Sequence, residues 1–175
     1  MRTLSTPAAL LALALAACGA DATRDPIAPS APVLARGAHA EADAKTKQIH
    51  GTMQATETGA PQPGTPIVVR RLEGEGVASH LGRFTTVGII TLNLATASGT
   101  GTVTYTAANG DVLGGTATGQ AVVGGGFATV TETVTITGGT GRFAGATGTF
   151  TVVRRIVQAT GISTGTIDGT ITLPK

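Results

Sequence analysis

From residue 46 onwards the chain alternates between hydroxyl-bearing and apolar residues, and the pattern is clearest over 128–137. Threonine occupies every odd position from 129 to 137, whereas Ala128, Val130, Val134 and Ile136 occupy even ones. Residues two apart lie on the same face of a β-strand, so this stretch predicts a strand with one polar and one apolar face. The 26 glycines and the low charged fraction of 13% favour short strands and tight turns over helices.

The same alternation, interrupted by turn residues, predicts eight strands. Their approximate bounds are 46–56, 66–79, 83–95, 100–107, 111–119, 127–137, 146–157 and 162–173. Asn109-Gly110 marks a tight hairpin because both residues tolerate a positive φ. No segment leaves room for a helix longer than one turn, so the fold class is all-β, either a sandwich or a closed barrel. A barrel leaves no exposed strand edge, and we therefore predict a single eight-stranded antiparallel β-barrel.

Residues 1–17 have the pattern of a bacterial export signal, and a lone cysteine follows. Arg2 precedes an apolar run of about ten residues, which is too short to span a bilayer core of roughly 30 Å as a helix. Leu15-Ala16-Ala17-Cys18 resembles the lipobox of bacterial lipoproteins, whose cysteine carries the lipid after cleavage. We predict lipidation of Cys18 and anchoring in the bacterial cell envelope, at the outer membrane because Gly19 follows rather than aspartate. The alternative is an ordinary secretory signal with a chance cysteine.

Two further segments follow the signal. Residues 18–45 are rich in alanine, proline and aspartate without periodicity, which predicts a flexible tether. Residues 46–175 form the predicted barrel domain. A membrane-spanning barrel is disfavoured, because five aromatic residues in the chain do not supply the girdles that such barrels carry at both interfaces.

One segment carries a resemblance to a known family. Residues 136–150 read ITGGTGRFAGATGTF, which resembles the turn-and-strand motif of plant dirigent proteins and is similar to bacterial members of the allene oxide cyclase-like barrel superfamily. HLGRFT at 80–85 is similar to small bacterial barrels of that group. The resemblance implies an eight-stranded antiparallel barrel, often with an apolar central cavity. It carries over no activity, because none of the family's functional positions can be matched here residue by residue.

Three residues are candidates for lining a cavity. Glu132 and Arg154 each interrupt the apolar face of their strand, and a register that places 132 opposite 154 brings both charges together on that face. The same register places Val134 opposite Val152. The pair could orient a polar group of a ligand, with Glu132 as a proton acceptor, or it could be a structural ion pair or a rim position. Tyr105, on the apolar face of its strand, either points its hydroxyl into the cavity or packs in the core.

The sequence contains no recognised catalytic or metal-binding motif. Its three histidines are scattered and there is no second cysteine for zinc. The segment 138–142 lacks the GK[ST] and the following helix of a phosphate-binding loop. A net charge of +2 and few aromatic residues argue against nucleic acid as a partner. No catalytic residue, metal or cofactor is therefore predicted.

Two functions are compatible with these observations. The first is a non-enzymatic, lipid-anchored envelope protein whose barrel binds a small apolar molecule or an envelope partner. The second is a cavity enzyme of the isomerase or cyclase type, by analogy of fold.

Overall fold

The structure, a computed structural model, describes residues 44–175. The predicted signal, Cys18 and most of the predicted tether lie outside these residues. Eight strands form one closed barrel, in which each strand pairs antiparallel with the next and the last pairs with the first. The strands are β1 (Lys45–Thr58), β2 (Ile67–Ala78), β3 (Gly82–Asn93), β4 (Ser98–Ala107), β5 (Val112–Gly124), β6 (Phe127–Gly139), β7 (Thr147–Val157) and β8 (Ile162–Leu173). The prediction of an all-β, eight-stranded antiparallel barrel is confirmed.

Helical structure is minimal in the described part of the chain. One 3-10 turn, Gly141–Phe143, lies between β6 and β7. Within residues 44–175 no helix is long and apolar enough to cross a membrane.

The alternation along each strand sorts side chains between the barrel interior and the surrounding water. On β6 the threonines at 129, 131, 133 and 135 are exposed, while Val134 and Ile136 are buried. The interior is filled from all eight strands, and three of its rings, Phe84, Tyr105 and Phe150, pack edge to face. Each strand therefore contributes its apolar face to one common core, as period-2 patterning requires.

The predicted register between β6 and β7 is wrong by two residues. Glu132 pairs with Val152, and Val130 pairs with Arg154. This ladder ends at Thr135–Thr149, because the residues beyond it do not continue as a tight hairpin. They form the 3-10 turn and its flanks instead. Glu132 and Arg154 thus become diagonal neighbours on the inward face rather than direct partners.

One end of the barrel is plugged by apolar side chains. The GGTGRF segment places Phe143 in the barrel end with no exposed surface, and Ile49, Leu113 and Ile171 around it are also fully buried. Arg142 holds the plug in place, donating from Nη2 to the carbonyl oxygen of Leu81 at 2.8 Å. The GGTGRF segment, which carries the resemblance to dirigent proteins, therefore has a structural role: it closes one end of the barrel.

The opposite end carries the connections β1–β2, β3–β4, β5–β6 and β7–β8. Here the side chains do not fill the interior. Leu94 and Val123 stay 57% and 59% exposed at the rim, and an open cavity leads from them into the barrel. The barrel therefore has one closed and one open end.

Candidate functional site

The candidate site is the cavity at the open end, here called the mouth cavity. It has a volume of about 210 Å³. Its apolar walls come from Ile90, Leu92, Leu94, Val123, Val130 and Ile156, and small residues at 97, 99, 119, 121, 128 and 161 keep it open. Its polar lining includes Glu57, Arg70, Glu132 and Arg154. An apolar cavity with a few convergent polar groups is the usual form of a small-molecule site.

Three charged side chains form a cluster on the inner side of this cavity, hereafter the charge cluster: Glu57, Glu132 and Arg154. The guanidinium of Arg154 donates from Nε and Nη2 to Oε2 of Glu132, at 3.1 and 2.9 Å, and from Nη1 to Oε1 of Glu57. The side chains of Arg154, Glu57 and Glu132 are 3%, 7% and 11% exposed. Burial disfavours the charged guanidinium, but attraction first to Glu132 and then to Glu57 outweighs it and raises the pKa of Arg154. The cluster is thus a buried ionic network.

Two glycines make room for these long side chains. Gly119 on β5 faces Glu132, and a Cβ there would lie 2.7 Å from its Cγ. Gly165 on β8 faces Arg154, and a Cβ there would lie 2.6 Å from its Cγ. Glycine within a strand often marks such a close approach. These two positions let Arg154 reach across β8 towards Glu57 on β1.

A second, much smaller cavity lies deeper in the barrel. This inner cavity has a volume of about 20 Å³ and is lined in part by Thr86, Tyr105, Glu132 and Arg154. The charge cluster therefore separates the inner cavity from the mouth cavity. Thr86 Oγ1 is buried here with no hydrogen-bond partner in the described part of the chain, and the volume is sufficient for one water molecule.

Tyr105 belongs to the inner cavity and the core, and it does not line the mouth cavity. It is 3% exposed and makes edge-to-face contacts with Phe84 and Phe150, with ring centroids 5.5 and 5.6 Å away. Burial, followed by repulsion from Glu132, raises the pKa of its hydroxyl above the usual value, and Arg154 opposes this only in part. Tyr105 is thus a neutral core residue near the charge cluster.

The sequence pattern singles out Glu132 and Arg154, but two further charged residues of the same site, Glu57 and Arg70, are not apparent from it. Glu57 lies one residue beyond the predicted end of the first strand. Arg70 lies between Val68 and Leu72 on the inward face of β2, the same signal that singled out Glu132. The alternation is hard to see there because the outward-facing neighbours, Val69 and Arg71, are of the same apolar and charged types as the inward-facing residues. The predicted lipidation site, Cys18, lies outside the described residues.

A serine, a histidine and an aspartate meet on the outer surface, near the plugged end. His50 Nδ1 is 2.5 Å from Asp168 Oδ2, with both side chains largely exposed. The Ser79 hydroxyl accepts from the backbone N–H of His50 and donates to the carbonyl oxygen of Gln48, so it is held by the backbone. This arrangement lines none of the cavities described above and lacks the serine–imidazole contact that nucleophilic catalysis needs. Across residues 44–175, no group of three His, Cys, Asp or Glu side chains is placed to hold a metal ion.

Comparisons with known proteins identify solved structures of similar fold but no family or curated protein that matches by sequence. No model of a protein family matches the chain, and no curated protein matches it. Among solved structures, it is similar to the pterocarpan synthase dirigent protein GePTS1, with a TM-score of 0.58 and 16% identity, over 85% of this chain and 100% of that one. The pterocarpan synthase dirigent protein PsPTS1 gives a TM-score of 0.58 and 15% identity, over 75% of this chain and 97% of that one. The closed eight-stranded barrel of this chain therefore has the dirigent-like fold.

Proposed function

We propose that this chain is a lipid-anchored protein of the bacterial cell envelope whose barrel binds a small, mostly apolar molecule in the mouth cavity. The observation that carries the binding proposal is the cavity itself: about 210 Å³, apolar walls and a charged inner side. An apolar cavity of roughly 150 Å³ in another protein holds benzene, so this one suits a ligand of about eight to ten non-hydrogen atoms. A single substituted ring or a short acyl chain has this size.

The envelope location rests on the sequence of residues 1–18. If Cys18 carries lipid, the tether joins the barrel at β1, whose first residue, Lys45, lies at the plugged end. The mouth cavity opens at the other end, away from the point of attachment. Anchoring and ligand entry are therefore compatible. Of the two binding roles expected from the sequence, the cavity favours a small molecule over an envelope protein.

A cavity enzyme is the second candidate function, because two carboxylates, Glu57 and Glu132, line the mouth cavity. Either could accept a proton from a bound molecule. Both are already bonded to Arg154, however, and this favours a structural and binding role for the cluster. The two functions differ in what happens to the ligand: a binding protein releases it unchanged, whereas an enzyme of the isomerase or cyclase type releases a rearranged product.

Native mass spectrometry of the full chain, purified from bacterial membranes, tests the binding proposal. We expect a co-purifying small molecule that extraction with organic solvent releases. Ala128→Phe, which places a ring in the mouth cavity, should abolish the adduct. Thr131→Phe, on the outer face of the same strand, should leave it in place.

Two results would count against binding in the mouth cavity. One is an adduct that persists in Ala128→Phe. The other is a protein that carries no adduct and binds neither 1-octanol nor toluene. A ligand that returns rearranged after incubation with the protein would favour the enzyme.

A further inference from the structure

Arg70 is a charged residue of the mouth cavity that the charge cluster does not use. It lies on β2 between Val68 and Leu72, pairs across the ladder with Ile90 on β3, and is half-buried. Arg70 therefore contributes a guanidinium to the wall of a cavity whose other wall residues are mostly apolar.

Within residues 44–175, the Nε of Arg70 is buried and has no hydrogen-bond partner. The other arginines of the barrel interior and plug are held by acceptors: Arg154 by two carboxylates, and Arg142 by the Leu81 carbonyl oxygen. The adjacent Arg71, on the outer face, donates from Nε and Nη2 to Oε1 of Glu73. A buried guanidinium N–H without an acceptor is costly. Among residues 44–175 the Nη1 and Nη2 groups of Arg70 are neither buried nor bonded, so a molecule in the mouth cavity can accept hydrogen bonds from the same guanidinium through them.

The two carboxylates of the mouth cavity do not supply this acceptor. Glu57 and Glu132 bond to Arg154, and among residues 44–175 no carboxylate forms an ion pair with Arg70. Arginine presents a planar fork of donors that matches a carboxylate in geometry and charge. The unpaired guanidinium of Arg70 on the cavity wall therefore indicates the chemistry of its partner.

We infer that the ligand is an apolar carboxylate, a compact hydrocarbon body with one acidic group that binds Arg70. This inference rests on the proposed binding function and adds the charge of the ligand. The cavity volume limits the molecule to about eight to ten non-hydrogen atoms, the size of a medium-chain fatty acid or a small aromatic acid. The hydrocarbon would contact Ile90, Leu92 and Ile156, and its acidic group would accept from the guanidinium.

Calorimetric titration of the full chain with three probes of equal chain length tests this inference: octanoate, 1-octanol and octylammonium. We expect octanoate to bind at least tenfold more tightly than 1-octanol, and octylammonium to bind most weakly. Arg70→Gln keeps a polar side chain without the charge, so it should reduce octanoate to the affinity of 1-octanol. Arg71→Gln, on the outer face, should keep the preference.

The outcomes separate the inference from the function on which it rests. If octanoate and 1-octanol bind equally to the wild-type protein, or if Arg70→Gln keeps the preference, the inference is wrong and apolar binding stands. If no probe binds, the proposed function fails as well.

Thermal unfolding shows whether Arg70→Gln is folded. If it is not, the wild-type protein still decides the question, because the preference for octanoate over 1-octanol must disappear below about pH 4, where the ligand carboxyl is protonated. A preference that persists there would overturn the inference.

Discussion

At the scale of single residues, the charge cluster is where we expect a substitution to change the free energy of unfolding most. Arg154 is nearly inaccessible, and it is the only link between Glu57 and Glu132 that the described residues show. A buried charge is tolerated when it is paired and hydrogen-bonded. When one partner is removed, the other charge stays buried with nothing to compensate for its lost hydration. Because one guanidinium serves two carboxylates, its removal affects both.

Arg154→Met should therefore lower the free energy of unfolding by about 3–5 kcal/mol. Glu132→Gln leaves Glu57 as a partner and should cost less, about 1–3 kcal/mol. Urea denaturation of both variants measures these differences. Arg71→Met is the matched control, because the Arg71–Glu73 pair is exposed and contributes at most about 1 kcal/mol. Equal losses for Arg154→Met and Arg71→Met would contradict the buried network.

The buried hydroxyl of Tyr105 gives a second prediction at this scale. It is the single tyrosine of the chain, so the ultraviolet absorbance of tyrosinate reports this residue alone. Burial raises its pKa, and the folded protein should show no tyrosinate at pH values where the denatured chain ionises, near the ordinary value of about 10.

The sign of the effect on stability follows from the same shift. Below the pKa of the unfolded chain both states are protonated, and the contribution of Tyr105 is fully present. As the pH rises above about 10, only the unfolded state loses the proton, so the free energy of unfolding falls. A folded protein whose tyrosine titrates near 10 would show that Tyr105 is accessible to water.

At the scale of elements, alternation was sufficient to find all eight strands, but it did not fix how they pair. Period 2 reports which face a residue occupies, and a slip of two residues leaves every face unchanged. The β6–β7 register was therefore open to an error of two, and it is set by the plug around Phe143 rather than by a hairpin turn. The motif at 138–143 was visible, but its role as a plug was not.

The same limit explains which site residues the sequence could reveal. Glu132 stood out because its neighbours on both sides alternate strictly, whereas Arg70 lies in the run Ile67–Leu72, where apolar residues occupy both faces. Glu57 reaches Arg154 only because β1 and β7 both flank β8, a relation between strands far apart in the chain. Contacts of that kind depend on barrel closure, which alternation alone does not encode.

Two inward-facing glycines give the prediction at this scale. A Cβ at Gly88 on β3 would have its nearest neighbours at 3.5–3.8 Å, which is ordinary van der Waals contact, and it would border the inner cavity. Gly88→Ala should raise the free energy of unfolding by about 0.4–1 kcal/mol, because alanine restricts the unfolded chain.

Gly101→Ala, on the neighbouring strand β4, should have the opposite effect. A Cβ there would overlap the Ile89 carbonyl oxygen and lie 2.8 Å from the Ile90 Cα, and strain of this kind costs about 1–3 kcal/mol. Thermal or urea unfolding of the two variants side by side measures the difference. A loss of stability in Gly88→Ala as large as in Gly101→Ala would contradict the free space around Gly88.

At the scale of the whole molecule, the barrel is asymmetric. Side chains fill the end that holds Phe143, whereas the opposite end is hollow and rimmed by exposed apolar residues. Leu94 and Val123 line the rim of this end, and a ligand in the mouth cavity would cover them in part. The dirigent-like barrel thus encloses a cavity that opens at the end opposite Phe143.

Methyl NMR of the full chain, titrated with 1-octanol, tests this asymmetry most directly, because the probe is neutral and the result does not depend on Arg70. We expect saturable shifts for the methyl groups of Ile90, Leu92 and Ile156, which line the mouth cavity. Ile49, Leu113 and Ile171, at the plugged end, should remain unchanged. Shifts of equal size at both ends, or no saturable shift at either, would contradict a barrel that binds ligands through its open end.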